Sequence, residues 1–180
     1  MTPFTTLTSV VVPLIRDNID TDIIIPSREM TSTGKTGLKD GLFAPWRYTN
    51  AVTRTPNPDF AMNRPEFTGA RILASGANFG CGSSREHAVW ALAEYGVACV
   101  VAESFAPIFY TNCIRNGIAP ITLPVGTRHC RLLRLDSSDA NGILRKKNFS
   151  CLLHNIVSQK PYALEKDLYL QKEVACDRPN

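Results

Sequence analysis

The chain has 180 residues, 44% of them hydrophobic, which suffices for one compact domain that buries its own core. It has no apolar run long enough for a membrane span and no basic-then-apolar pattern at its N-terminus, so we expect a cytoplasmic protein without a membrane partner. The formal charge of +4 comes entirely from residues 126–180, where few aromatic residues accompany the basic ones, which argues against nucleic-acid binding.

The six cysteines are spread along the chain without a C-x-x-C pair. This spacing argues against a disulfide framework, a zinc site or a complete iron–sulfur site within the chain, and free thiols are expected. Cys99 falls in an apolar stretch and is predicted to lie in the core. Cys81 borders a turn, where a small packed residue is the simpler interpretation.

The first predicted element is a strand at residues 10–12, followed by the segment 18–26. Asn, Asp and Thr side chains in this segment predict a tight turn in which side chains bond the backbone. The three isoleucines at 23–25 predict a strand or core edge that Pro26 ends.

Residues 27–50 combine three glycines with few apolar anchors before residue 42. A long polar loop with glycine hinges favours a lid or a substrate selector, and the alternative is simple disorder. The following segment, 54–65, contains three prolines and is predicted to be a surface connection.

Strands and helices alternate regularly from residue 71 onward. The predicted strands are 71–75, 97–102 and 118–123, and the predicted helices are 84–95 and a second that begins near 104. Ser104 is the candidate N-cap of the second helix, and Asn116 with Gly117 is its stop. Strands that are separated by single helices must run parallel, so we expect an α/β protein with ligands at the carboxyl ends of its strands.

The turn at residues 78–87 concentrates the polar chemistry of the chain. Ser83 and Glu86 form a capping-box pattern, which predicts that the helix begins at the serines. A helix N-terminus attracts anions, Gly80 and Gly82 allow close backbone approach, and Arg85 can grip a carboxylate with two parallel hydrogen bonds. The alternative is a local role for these side chains.

That local alternative makes Ser83 and Glu86 mere caps and Arg85 a surface charge. For Glu86 and His87 we favour it. For Ser83 and Arg85 we favour an anion site, because three glycines within residues 76–82 exceed what an ordinary turn requires.

Residues 76–92 read GANFGCGSSREHAVWAL, which resembles the signature of the isopropylmalate dehydratase small subunits. This family is related to the swivelling C-terminal domain of aconitase, so the resemblance implies a swivelling β/β/α fold that contains a parallel β-α-β-α-β unit at 71–123. The resemblance covers a domain at 1–125. It fades in the divergent segment 126–180, which is interpreted as a divergent end, in part disordered, or as a tail altered by a change of reading frame.

The resemblance implies a hydro-lyase that interconverts 2- and 3-isopropylmalate by dehydration and rehydration in leucine biosynthesis. Activity would require a heterodimer, or a larger assembly, with a large subunit that carries a [4Fe–4S] cluster. The substrate would be a hydroxydicarboxylic acid, and this chain would itself hold no cofactor and no metal.

The resemblance also assigns roles to individual residues. Ser83 is the implied base, acting as an alkoxide, and Arg85 holds a substrate carboxylate. Further substrate contacts are implied for Gly82, Ser84, Lys35 and Thr36. Supporting roles at the site are implied for Asp20, Thr21, Asp22, Glu86 and His87.

Three positions depart from the family pattern, namely Glu29, Lys35 and Pro45, where an aromatic residue, an arginine and an aspartate are usual. Lysine offers a point charge rather than a planar fork, which keeps a second substrate in view, a related substituted malate or citrate. An alternative from another class is a non-catalytic anion-binding module whose altered tail no longer docks to a large subunit.

Overall fold

The computed structural model of the chain describes residues 6–30, 34–123 and 148–152. The helices and strands in chain order are β1 Thr6–Leu14, α1 Thr21–Ile24, α2 Ala44–Arg47, β2 Tyr48–Asn50, β3 Thr55–Pro56, β4 Ile72–Ser75, α3 Glu86–Tyr95, β5 Cys99–Ala102, α4 Pro107–Arg115, β6 Ala119–Thr122 and β7 Asn148–Leu152. Three short 3₁₀ turns lie at Ser27–Glu29, Ala61–Asn63 and Pro65–Phe67.

The central sheet has the strand order β6-β5-β4-β1-β7. The pairs β1–β4, β4–β5 and β5–β6 are parallel, whereas β7 is antiparallel to β1. The parallel β-α-β-α-β unit predicted at 71–123 is therefore confirmed, and β1 extends it by one more parallel strand. β2 and β3 form a separate antiparallel hairpin.

The strands β4 and β5 are buried along their whole length, as parallel strands covered on both faces must be. One face of the sheet carries Leu73 and Val100 against Leu92 of α3 and Phe109 of α4. The opposite face carries Cys99 among other apolar strand residues. The prediction that Cys99 lies in the core is confirmed.

The first loop matches its prediction in part, because Ile24 and Ile25 are fully buried in the main core, as a core edge requires. Residues 21–24 form the helix α1 instead of a strand, because the carboxylate of Asp20 accepts a hydrogen bond from the Ile23 N–H at 2.8 Å and so caps a helical turn. The expected bond between a side chain and the backbone of this turn is thus present. Thr21 and Ile24, three residues apart, are the buried side chains of the turn.

The segment 27–50 is more ordered than a polar loop. Leu38, Leu42 and Phe43 are fully buried and belong to the main core. The alternative of simple disorder is therefore wrong for the described part of the segment, which excludes 31–33. Its role as a lid or selector stays a prediction.

The segment 54–65 also contributes to the core, because Phe60 and Met62 are buried there. The prediction of a mere surface connection is wrong at those two positions. The three prolines indicated the turns of this segment but not that the apolar side chains between them are buried.

The helix ends follow the prediction better than the helix starts. Gly96 ends α3 with a φ of 106°, and Asn116 and Gly117 end α4. However, α4 begins at Pro107, since the hydroxyl of Ser104 accepts a bond from the N–H of Asn78 instead of capping the helix.

The proposed boundary between 1–125 and 126–180 lies outside the described residues. Within the segment 126–180 the structure describes only β7. Within the described ranges, no helix has the length and hydropathy that a bilayer crossing demands.

Candidate functional site

The turn at 78–85 follows the carboxyl end of β4 and is tied to the chain segments that follow the two neighbouring strands. On the β1 side, Gly80 N–H donates to the Ile19 carbonyl at 2.8 Å and Thr21 N–H donates to the Cys81 carbonyl at 2.9 Å. On the β5 side, the N–H of Phe79 donates to the Ser104 carbonyl at 3.0 Å. The turn is therefore held at the carboxyl edge of the sheet, where parallel sheets place their ligand sites.

The two glycines of the turn, Gly80 and Gly82, lie in different surroundings, so the absence of a side chain has a different consequence at each. Gly80 is buried with a φ of 76°, and a Cβ there would lie 2.1 Å from Cγ of Phe109. Gly80 thus permits packing against α4, and its role in approaching a ligand stays a prediction. Gly82 is exposed with a φ of 89°, so its backbone surface stays open, although a Cβ there would make a tight contact of 3.3 Å with Asp20 Cβ.

The predicted capping box does not form. Helix α3 begins at Glu86, and Arg85 occupies the N-cap position with extended backbone and no side-chain cap bond. Two distant residues explain this: the hydroxyl of buried Thr21 donates to the Ser83 carbonyl at 2.7 Å, and Asn116 Nδ2 donates to the Glu86 carboxylate at 2.8 Å. The start of the helix is therefore shifted past the serines.

The failed cap leaves polar groups available at the head of α3. Ser83 and Ser84 are exposed, and no described residue hydrogen-bonds to the Ser83 hydroxyl. The backbone N–H groups of Gly82, Ser83 and Ser84 likewise have no acceptor among the described residues. Free N–H groups before a helix N-terminus are the donors that an anion requires.

Arg85 is oriented by an acidic neighbour from α1. Its Nη1 forms an ion pair with the Asp22 carboxylate and donates to the Ile25 carbonyl at 3.4 Å. The Arg85 side chain is only 18% exposed, whereas that of Asp22 is 56% exposed. The other guanidinium nitrogens of Arg85 have no hydrogen-bond partner among the described residues, which leaves them for a ligand.

The structure brings Asp20, Thr21 and Asp22 together with the turn. Asp20 packs beside Gly82, Thr21 holds Cys81 and Ser83 through two hydrogen bonds, and Asp22 holds Arg85.

A second part of the predicted site reaches α3 from the segment 34–39. The ammonium group of Lys35 donates to Asn116 Oδ1 at 3.2 Å and lies 5.3 Å from the centre of the Trp90 ring. Thr36 is exposed and next to it. The backbone of this segment is anchored by Glu94, whose carboxylate accepts bonds from the three N–H groups of residues 37–39 at 2.7, 2.6 and 3.0 Å.

Sequence reasoning missed Asn116, Trp90 and Glu94 as members of this arrangement. Asn116 was predicted only as a helix stop, yet its amide joins Lys35 to Glu86, the first residue of α3. A signal existed in Trp90, because an indole N–H within a mostly apolar helix needs an acceptor, and Asn116 supplies it at 3.0 Å.

His87 has the kind of local partner that we favoured, whereas the local capping role that we favoured for Glu86 is wrong, because its partner Asn116 is 30 residues away. The His87 ring lies 4.7 Å from that of Trp90, and Glu86 bonds Asn116.

The surroundings shift the pKa values of two thiols and of the Glu94 carboxyl group. Partial desolvation, together with the charge of Asp20, raises the pKa of the Cys81 thiol, and burial raises the pKa of Cys113 to about 12. Partial desolvation of Glu94 raises its pKa, but the three N–H groups that bond its carboxylate outweigh this, so its pKa lies below the ordinary value. Both thiols are thus protonated at neutral pH, and Glu94 is ionised.

The described residues do not assemble a metal site: no three His, Cys, Asp or Glu side chains in those ranges are grouped to hold an ion. Cys99 and Cys113 are buried apart from the turn. The residues at the turn therefore do not fit an iron–sulfur cluster.

Comparison with known proteins gives a consistent set of similarities. The model of the family described as aconitase C-terminal domain matches residues 1–126. The chain is 58% identical over 127 residues to a 3-isopropylmalate dehydratase small subunit of Cupriavidus necator, a match that covers 71% of this chain and 61% of that protein. It is 52% identical over 124 residues to the protein of the same name in Paramagnetospirillum magneticum, covering 69% and 61%.

A solved structure of 3-isopropylmalate dehydratase from Methanocaldococcus jannaschii is similar with a TM-score of 0.53 and 32% identity, covering 70% of this chain and 66% of that one. The match therefore spans less than two thirds of the length of each of these relatives.

Proposed function

Because this chain belongs to the aconitase C-terminal domain family, we propose that it is the small subunit of a hydro-lyase that interconverts 2-isopropylmalate and 3-isopropylmalate in leucine biosynthesis. Its curated relatives at 52–58% identity carry the name 3-isopropylmalate dehydratase small subunit. One observation carries the proposal: the exposed Ser83 hydroxyl has no described partner and lies beside free N–H groups and an oriented Arg85.

Ser83 is the proposed base that removes the proton next to the substrate carboxylate. A serine hydroxyl is a weak acid, so it can act as an alkoxide only where its negative charge is stabilised. The free N–H groups of residues 82–84, the N-terminus of the ten-residue helix α3 and the Arg85 guanidinium all favour that charge.

Arg85 is the proposed anchor of one substrate carboxylate. The bond to Asp22 occupies Nη1, so the remaining nitrogens can form the two parallel bonds that a carboxylate accepts. Lys35 supplies a second exposed positive charge along α3. Two cationic side chains fit a dicarboxylic acid better than a monocarboxylic one.

The proposed partner is a large subunit that carries a [4Fe–4S] cluster. This cluster would supply the Lewis acid for the substrate hydroxyl, since the residues that the structure describes do not group into a metal site. The role of this chain is then to bind the carboxylates and to accept the proton at Ser83 Oγ. The exposed head of α3 is the face that would meet the partner's cluster.

The test is reconstitution of the full chain with the cluster-bearing large subunit of its own organism, followed by assays against a panel of hydroxydicarboxylates. We expect Ser83→Ala to lower kcat by about 10³-fold while KM stays within about threefold, since only the proton acceptor is lost. Thr111→Ala is the matched control, because it removes an exposed hydroxyl from α4, away from the turn.

Three results would contradict parts of the proposal. A Ser83→Ala complex with near-normal kcat would remove Ser83 from the reaction. Preferred turnover of another substituted malate or citrate would change the substrate, as the Lys35 departure suggests. Failure to co-purify with any large subunit would favour the non-catalytic anion-binding module.

A further inference from the structure

We propose that Asn116 is a positioning residue that presents the charged end of Lys35 to a substrate carboxylate, an inference that rests on the function proposed above. The inference arises from one side chain that no motif singled out for the reaction. Asn116 lies at the C-cap of α4, and its half-buried amide connects two helices and the segment 34–39.

The hydrogen-bonding capacity of the Asn116 amide is fully used. Its oxygen accepts from Lys35 Nζ at 3.2 Å and from Trp90 Nε1 at 3.0 Å. Its nitrogen donates to Glu86 Oε1 at 2.8 Å and to the Asn112 carbonyl at 2.9 Å. Two acceptor and two donor sites are all that an asparagine side chain has, so the amide is held in one orientation.

An amide at this position holds the ammonium group without neutralising it. Lysine has a long flexible side chain, and the Asn116 oxygen and the Trp90 ring together restrict where its charge can lie. The amide also stands between Lys35 and the Glu86 carboxylate and bonds to both. A direct Lys35–Glu86 ion pair is thereby replaced by two bonds to a neutral group, which leaves the lysine charge for an anion.

The backbone that carries Lys35 has a separate anchor. Glu94, which lies four residues after Trp90 in α3, accepts bonds from the three N–H groups of residues 37–39. The position of the segment therefore does not depend on Asn116 alone. Substitution of Asn116 should displace the ammonium group while the backbone stays in place, which makes the two effects separable.

The experiment compares Asn116→Asp with wild type in the reconstituted complex. Aspartate keeps the shape of the side chain but neutralises Lys35 and opposes Glu86, so we expect KM to rise about tenfold while kcat stays within about twofold. Lys35→Met should raise KM to a similar degree. The double variant should show no further rise, because both changes remove the same positioned charge. Asn57→Asp is the matched control, since that amide donates to the Trp46 carbonyl, away from α3.

An unchanged KM in Asn116→Asp, or fully additive effects of the two substitutions, would overturn the inference. A purely structural role would lower the yield of folded complex and would persist in the Lys35→Met background.

The contact itself is tested without turnover. In the ¹⁵N-labelled full chain, the indole N–H signal of Trp90 should shift in both Lys35→Met and Asn116→Asp. Its assignment is checked in a Trp46→Phe background, which leaves Trp90 as the chain's remaining tryptophan. Unshifted signals would overturn the inference. If the signal shifts in both variants but the wild-type complex does not convert isopropylmalate, the contact is supported and the proposed function is refuted instead.

Discussion

Replacement of Gly80 by alanine is the most direct test of how the turn is held at the edge of the sheet. The new Cβ would lie 2.1 Å from Cγ of Phe109 and 2.5 Å from its Cδ1 and Cδ2, at a φ of 76°. The left-handed backbone costs alanine about 1–2 kcal/mol, and forcing a methyl group into a packed ring costs about 1–3 kcal/mol. The free energy of unfolding should therefore fall by about 2–5 kcal/mol.

This loss is large against the total stability of about 5–15 kcal/mol that is typical of a domain. For a chain of this length it corresponds to a fall in Tm of about 5–20 °C. Urea unfolding followed by tryptophan fluorescence and thermal unfolding followed by circular dichroism measure the two quantities.

Gly69→Ala is the matched control, because Gly69 has a φ of 74° but nothing within 4 Å of a Cβ. It should lose only the backbone contribution of about 1–2 kcal/mol. The Gly80→Ala cost should fall to the same value in a Phe109→Ala background, where the ring is absent. Equal losses for the two single glycine variants would refute the packing argument.

The remaining predictions concern the side chains around α3. Arg85→Lys should raise KM about 10–100-fold with a smaller change in kcat, because an ammonium group held by Asp22 cannot offer a carboxylate the two parallel bonds of a planar guanidinium; an unchanged KM would contradict this. Since the folded pKa of Glu94 lies below its unfolded value, the stability it contributes is present above the unfolded pKa and is lost as the pH falls through the folded one. Glu94→Gln should speed amide hydrogen exchange at residues 37–39 about tenfold at neutral pH, and equal exchange rates in both proteins would refute the anchoring role of Glu94.

The alternation of elements between 71 and 123 was predictable from short-range signals. Apolar runs of four to six residues marked the buried strands, and Gly96 and Gly117 marked the helix ends through their left-handed φ angles. These signals are local, because each depends on a few neighbouring residues. The parallel direction of the strands then followed from the single helix between each pair.

The helix starts were less predictable, because the side chains that matter there have partners far away in the chain. The Ser83–Glu86 pattern was a sound local cap, but Thr21 bonds the carbonyl of Ser83 and Asn116 bonds the carboxylate of Glu86. These partners lie 62 and 30 residues away in sequence. A local rule could not weigh a local bond against either of them.

The sequence by itself determined the class of the fold and the turn at which Ser83 and Arg85 stand, because glycines, strand ends and helix periodicity are written within a few residues. Only the tertiary structure decided that Gly80 serves Phe109, that Asp22 orients Arg85 and that Asn116 joins Lys35 to α3. Each of those three outcomes depends on contacts between residues that are far apart in the sequence and come together only in the folded chain. A pattern of neighbouring residues does not contain that information.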